Sequence, residues 1–112
     1  MTTQNNKPDF ADFQSIIEVF FAKYPNDDLR ARTFGVLMEL LETDATYRGD
    51  LRGWVGGLVY AVNNDGRFPC GVDGVSNREL SEAFGVRIET IRTRAATIKQ
   101  KLGWMPKLTG NL

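Results

Sequence analysis

The chain has no histidine and a single cysteine, Cys70, so the side chains that most often do chemistry are nearly absent. Without histidine there is no Ser-His-Asp or Cys-His nucleophile arrangement, and the commonest general acid/base and the usual pH switch are also missing. One cysteine cannot form an internal disulfide, and without histidine or a cysteine cluster there is no sensible zinc or iron site. Cys70 follows Pro69 with no basic neighbour to activate it and reads as an inert thiol. Asp65-Gly66 and Asp73-Gly74 lack the alternating acids and terminal glutamate of a calcium loop and read as turns. Gly53, Gly56 and Gly57 are not followed by Gly-Lys-Ser/Thr, so they do not form a phosphate loop. The remaining carboxylates, lysines and tyrosines form no recognisable catalytic set. The expectation is a binding protein, with no catalytic residue, no cofactor and no metal.

What the sequence does carry is an uneven charge distribution. The net charge is zero over 112 residues, yet residues 1–50 hold five Lys/Arg against nine Asp/Glu, and residues 51–112 hold nine against five. Arg87, Arg92, Arg94, Lys99, Lys101 and Lys107 share their stretch with one acid, Glu89, which makes the C-terminal segment the place for an anionic partner.

Residues 76–102, SNRELSEAFGVRIETIRTRAATIKQKL, arrange this charge on a helix-turn-helix pattern. Glu79-Leu80, the small Ser81, Gly85, Val86 and Ile91 occupy the positions such a unit requires. The glycine lets the chain reverse, the valine packs into the angle between the helices, and an apolar anchor follows five residues later. In this arrangement the second helix enters the major groove, its early outward residues meet base edges, and basic groups beyond them hold phosphates. Those residues are Arg87, Glu89, Thr90, Arg92 and Thr93, with Arg94, Lys99 and Lys101 further along. Arginine reads guanine through its bidentate fork. A basic, solvated helix face is the plainer interpretation, because the helix dipole favours cations in a last turn in any case. Arg87 stands where a Ser or Thr would cap the second helix, and its side chain cannot accept a backbone hydrogen bond.

The elements that must position this unit are also helical. Residues 1–8 are polar and read as a disordered leader. Asp9 can cap a first helix with Phe10, Phe13, Ile16, Ile17, Phe20, Phe21 and Tyr24 on one face, ending at Pro25. Asn26 or Asp27 caps a second, with Leu29, Phe34, Leu37, Leu40 and Leu41 inward, running to about Glu42. A third segment, from Ala45 to Asn64, is apolar on most sides, with Asp50 as its cap if the helix starts late. Each of its glycines costs a helix about 1 kcal/mol relative to alanine, which implies close approach of neighbouring helices and a central position. Asn64-Asp65-Gly66 ends it, and residues 66–75 form a loop punctuated by glycine and proline. Ser76 and Glu79 make a capping box for a short helix that stops at Gly85. A last helix runs from about Ile88 to Leu102, with Ile91, Ala95, Ile98 and Leu102 inward, and Gly103 closes it. Trp54 and Tyr60 read as core and edge residues rather than a ligand cage. The fold expected is all-α, a five-helix bundle over residues 9–104, with a tail at 105–112.

This order resembles the cyclin-box fold, especially its TFIIB-like form. There a central helix rich in small residues with an aromatic, here GWVGGLVYAV from Gly53 to Val62, precedes a Glu-Leu-type helix-turn-helix, here REL, then FGV, then ETIRTRAATI. The resemblance spans about residues 10–103 and is most specific over 76–98. It is also similar to an uncharacterised bacterial domain family that has the same glycine/tyrosine-rich helix and Phe-Gly-Val turn. The TFIIB-like resemblance implies a transcription-related domain in which Arg87, Glu89, Thr90, Arg92 and Thr93 face duplex DNA. The groove beside the central helix would then face a protein. TFIIB-like proteins carry two tandem boxes and this chain has room for one, so useful affinity would need a homodimer or a protein partner. A cyclin-box protein-interaction module is the alternative function. The longest apolar run, Trp54 to Val62, is far short of the ~20 residues of a membrane span, and MTTQNNKPDF does not read as a secretory signal. No membrane partner is expected, and the expected location is cytoplasmic.

Overall fold

Asp9 and Asp12 begin the first helix by exchanging bonds. The Asp9 carboxylate accepts from the Asp12 amide at 3.1 Å, and Asp12 accepts from the Asp9 amide at 2.9 Å, so two of the amides that a helix start leaves orphaned are satisfied. The computed structural model describes residues 8–63 and 72–104, which contain α1 (Phe10–Lys23), α2 (Asp27–Leu41), α3 (Leu51–Asn63), α4 (Asn77–Phe84) and α5 (Ile88–Lys101). Strands are absent among the described residues; a lone bridge between Val72 and Val75 closes a turn at Asp73-Gly74. The expected leader, the Asn64-Asp65-Gly66 helix end, Cys70 and the 105–112 tail lie outside the described residues, apart from Pro8.

α1 and α2 run antiparallel across the short connection at residues 24–26. Phe10 meets Phe34 with ring centroids 5.7 Å apart, and Glu18 pairs with Arg30, so earlier positions on α1 face later ones on α2. Asn26 caps α2 by accepting from the Leu29 amide at 3.0 Å. Phe13, Ile17, Phe20 and Phe21 from α1 and Leu29, Leu37 and Leu40 from α2 enter one core with α3. Thr33 is buried in that core, and its hydroxyl donates to the Leu29 carbonyl at 2.7 Å, which removes the cost of placing it there.

α3 is the centre of this arrangement. Every residue from Gly53 to Val62 is buried, and the helix contacts all four others, α5 most extensively. A helix apolar on all sides has no solvated face to offer and must be enclosed. It begins later than the outer limit read from the sequence. Residues 42–50 form a connection in which the Thr43 hydroxyl donates to the Leu40 carbonyl and accepts from the Ala45 amide. Gly49 has φ +82°, in the left-handed region that glycine tolerates. Asp50 then caps the helix by accepting from the Arg52 amide at 2.9 Å.

The three glycines of α3 let α5 approach. A Cβ on Gly53 would lie 3.2 Å from Thr90 Cγ2, and one on Gly56 would lie 3.1 Å from both Ile91 and Phe84. On Gly57 it would lie 2.6 Å from Arg94 Cβ and 2.9 Å from the Ala95 backbone nitrogen. Gly57 therefore touches backbone that cannot move without shifting α5.

Gly57→Ala is expected to cost about 1–3 kcal/mol through overpacking, despite alanine's better helix propensity. Gly35 in α2 has nothing within 4 Å of a built Cβ, and Gly35→Ala is expected to stabilise by up to about 1 kcal/mol; paired thermal melts measure both. The Arg30 guanidinium, by donating to Glu18, lowers that carboxyl's pKa below its ordinary value. Such a carboxylate stabilises the fold above its ordinary range, and the contribution is lost as pH falls through the lowered pKa. Glu18→Gln should melt slightly below the native chain at neutral pH and coincide with it in acid, a modest difference because the pair is partly solvated.

Candidate nucleic-acid interface

The candidate interface starts from the α4 capping box. Ser76 Oγ accepts from the Glu79 amide at 3.0 Å, and Glu79 accepts from the Ser76 amide at 2.9 Å. Leu80 and Phe84 face inward, and Phe84 stacks on Phe20 of α1 with centroids 4.9 Å apart. Gly85 then turns the chain at φ +67°, ψ +27°. The amides of Gly85 and Val86 both donate to the Ser81 carbonyl, and Ser81 Oγ donates to the Val86 carbonyl at 2.5 Å. The small residue before the turn is therefore a tie across it. Three residues, Gly85 to Arg87, separate α4 from α5.

Arg87 occupies the N-cap of α5 in extended conformation and makes no side-chain cap bond. Ile91, Ala95 and Ile98 are buried against α3. At the other end, the Gly103 amide donates to the Gln100 carbonyl and the Trp104 amide to the Lys99 carbonyl, with Gly103 at φ +73°. That pair of bonds is a Schellman motif, and it closes α5 where the sequence places its end.

The eight candidate residues divide into two groups. Arg87, Glu89, Arg92 and Thr93 are exposed, and Thr90 is half-buried with its methyl on Gly53. Arg87 and Glu89 approach each other to 3.8 Å with both side chains well solvated, an association too loose to neutralise either. Arg92 has no ion-pair partner among the described residues. These five residues sit together over the first half of α5. The other three lie against other parts of the fold. Arg94 lies over the Trp54 ring, its guanidinium carbon 4.4 Å from the centroid. Lys99 is only 7% exposed, and burial pushes its ammonium below the ordinary lysine range. Lys101 pairs with Asp44 at 2.9 Å. Lys107 lies outside the described residues.

The structure also brings in a cation that the charge pattern of residues 76–102 does not include. Arg52, at the start of α3, is gripped by Asp50 through three contacts of 2.6–3.1 Å. The bonded pair raises the arginine's pKa and lowers the aspartate's. Its Nη1 lies over the turn, 2.9 Å from where a Cβ of Gly85 would be. Arg52 thus joins Arg87 at the entry to α5, although 35 residues separate them in sequence. The Asp50-x-Arg52 spacing at a helix start was the available signal.

Comparison with protein-family models, with curated proteins and with solved structures gives no significant match. Among the described residues no helix is long and apolar enough to cross a membrane, and no group of metal-ligating side chains occurs.

Gly85→Ala forces a Cβ into the left-handed region, and a loss of about 1–2 kcal/mol is expected in a denaturant melt. Gly85→Asn should lose less, because asparagine tolerates that region better.

Proposed function

We propose that this chain is a non-enzymatic DNA-binding domain, transcription-related and of the single cyclin-box, TFIIB-like kind, which reads duplex DNA with α5. The observation that carries the reading is the division of α5 into two faces. Ile91, Ala95 and Ile98 hold the helix on α3, while Arg87, Glu89, Arg92 and Thr93 remain exposed at the end that follows a glycine turn. Reading helices of this type use their N-terminal residues on base edges. Arg92 is the best placed for a bidentate contact with guanine, and Arg87 is suited to a phosphate beside it.

The affinity expected is modest, because Lys101 is already paired and Lys99 is buried. A second reading, a protein-interaction module, is favoured by Val19 and Met38 on α1 and α2, which are 69% and 56% exposed in the acidic half of the chain. It predicts a basic partner and no response to DNA.

Fluorescence anisotropy of a labelled mixed-sequence duplex separates the two. Saturable binding that weakens with salt is expected, with the Arg87→Ala, Arg92→Ala double variant about tenfold weaker or more and its salt slope reduced. Absence of binding at high micromolar protein in low salt would overturn the DNA reading.

A further inference from the structure

We infer that Arg94, with Thr90 and Thr93, forms a binding site for a single phosphate group. The guanidinium has no carboxylate partner among the described residues, and its position is set instead by packing. Trp54 lies beneath it at 4.4 Å, its Cβ is pressed against Gly57, and Nη2 is 3.3 Å from where a Cβ of Gly49 would stand. Trp54 is itself fixed, since its indole N–H donates to the Arg48 carbonyl at 2.9 Å and its ring meets Tyr47 edge-on. Arg94 Nε is shielded from solvent and has no acceptor among the described residues. Packing therefore holds the fork in place, with its Nη donors unspent on any carboxylate.

Beside it is a shallow cleft of about 240 Å³ lined by Glu89, Thr90, Thr93 and Arg94. Thr90 turns its methyl onto Gly53, which leaves its hydroxyl on the other branch of Cβ. Two hydroxyls and a stacked guanidinium form a donor set suited to a tetrahedral oxyanion, and the planar fork matches two of its oxygens. Glu89 opposes this charge from the rim. The site therefore favours a singly charged phosphodiester or a weakly held free phosphate over a tight multivalent ligand. The site stands on this geometry alone; only the assignment of the phosphate to a duplex backbone rests on the DNA-binding reading.

Trp54 reports on the site directly. In a Trp104→Phe background it is the only tryptophan. Its emission is titrated with inorganic phosphate at constant ionic strength, with chloride as the balancing anion, and separately with a short duplex. A saturable change with phosphate in the millimolar range is expected. It should be lost in Arg94→Gln, weakened in Thr93→Val and tightened several-fold in Glu89→Gln, whose exposed side chain can change without disturbing the core. A duplex that produces the same change and competes with phosphate identifies the source as a nucleic-acid backbone. Phosphate binding with no duplex response supports a site for free phosphate or a phosphorylated small molecule, and the DNA reading then stands or falls on the anisotropy of the labelled duplex alone. No phosphate response from the folded Trp104→Phe protein, or a response unchanged by both Arg94→Gln and Glu89→Gln, overturns the site.

Discussion

The fold depends on the closeness of α3 to α5. Gly57 lies against the backbone of α5 at Arg94 and Ala95, and Gly53 and Gly56 receive Thr90, Ile91 and Phe84 along the same line. Three glycines in one helix sacrifice intrinsic helicity. In exchange, two backbones pack at a distance that side chains would prevent, and the dispersion contacts along that seam grow in number. The seam fixes the rotation of α5 about its own axis. Once Ala95 faces Gly57, Ile91 one turn before it and Ile98 one turn after it also face inward, and Arg87, Glu89, Arg92 and Thr93 are left outside.

A second line of contacts runs across the bundle. Phe13 on α1 meets Tyr47 edge-on at 5.2 Å, Tyr47 meets Trp54 at 5.4 Å, and Trp54 carries Arg94. The series connects the first helix to the last through the connection before α3. Tyr47 is what makes that connection structural, and its phenol is pushed above its ordinary pKa by burial. A charged side chain can be kept in such a place because a guanidinium is weakly hydrated and stacks on an indole face. An ammonium is more strongly hydrated and has no planar face to stack, so it would hold that place less well.

Much of this organisation was legible in the residues themselves. The cap at Asp9, the capping box at Ser76, the cap at Asn26 or Asp27 and the turn at Gly85 follow from local chemistry that acts over three or four residues; the structure has all four, with Asn26 as the cap and Asp12 completing a box with Asp9. The burial of Trp54 and Tyr60 follows from helical spacing in the same way. The start of α3 was less legible, because Ala45 and Tyr47 are apolar and continue the helical period while belonging to a connection. The fate of the cations was least legible. Arg94 and Lys99 read as outward charges on a basic helix, but whether a long side chain folds back onto a ring or under a neighbouring helix is decided by residues distant in the chain. Arg52 illustrates the converse, since its place over Gly85 exists only after α3 and the turn have packed together.

The two ends of α5 are finished differently. The C-terminal end is sealed by the Gly103 turn, and the middle is clamped at Gly57. At the entry, Arg87 supplies carbonyl acceptance to the Thr90 and Ile91 amides but no side-chain cap. The helix therefore has a gradient of local opening free energy along its length. Amide exchange with solvent should be fast at Ile88 and Glu89 and approach the global unfolding limit near Ala95. The residues most exposed to an incoming partner thus lie on the turn that costs least to rearrange, and the first turn of α5 can adjust its pitch to what it meets while the rest of the helix holds its register.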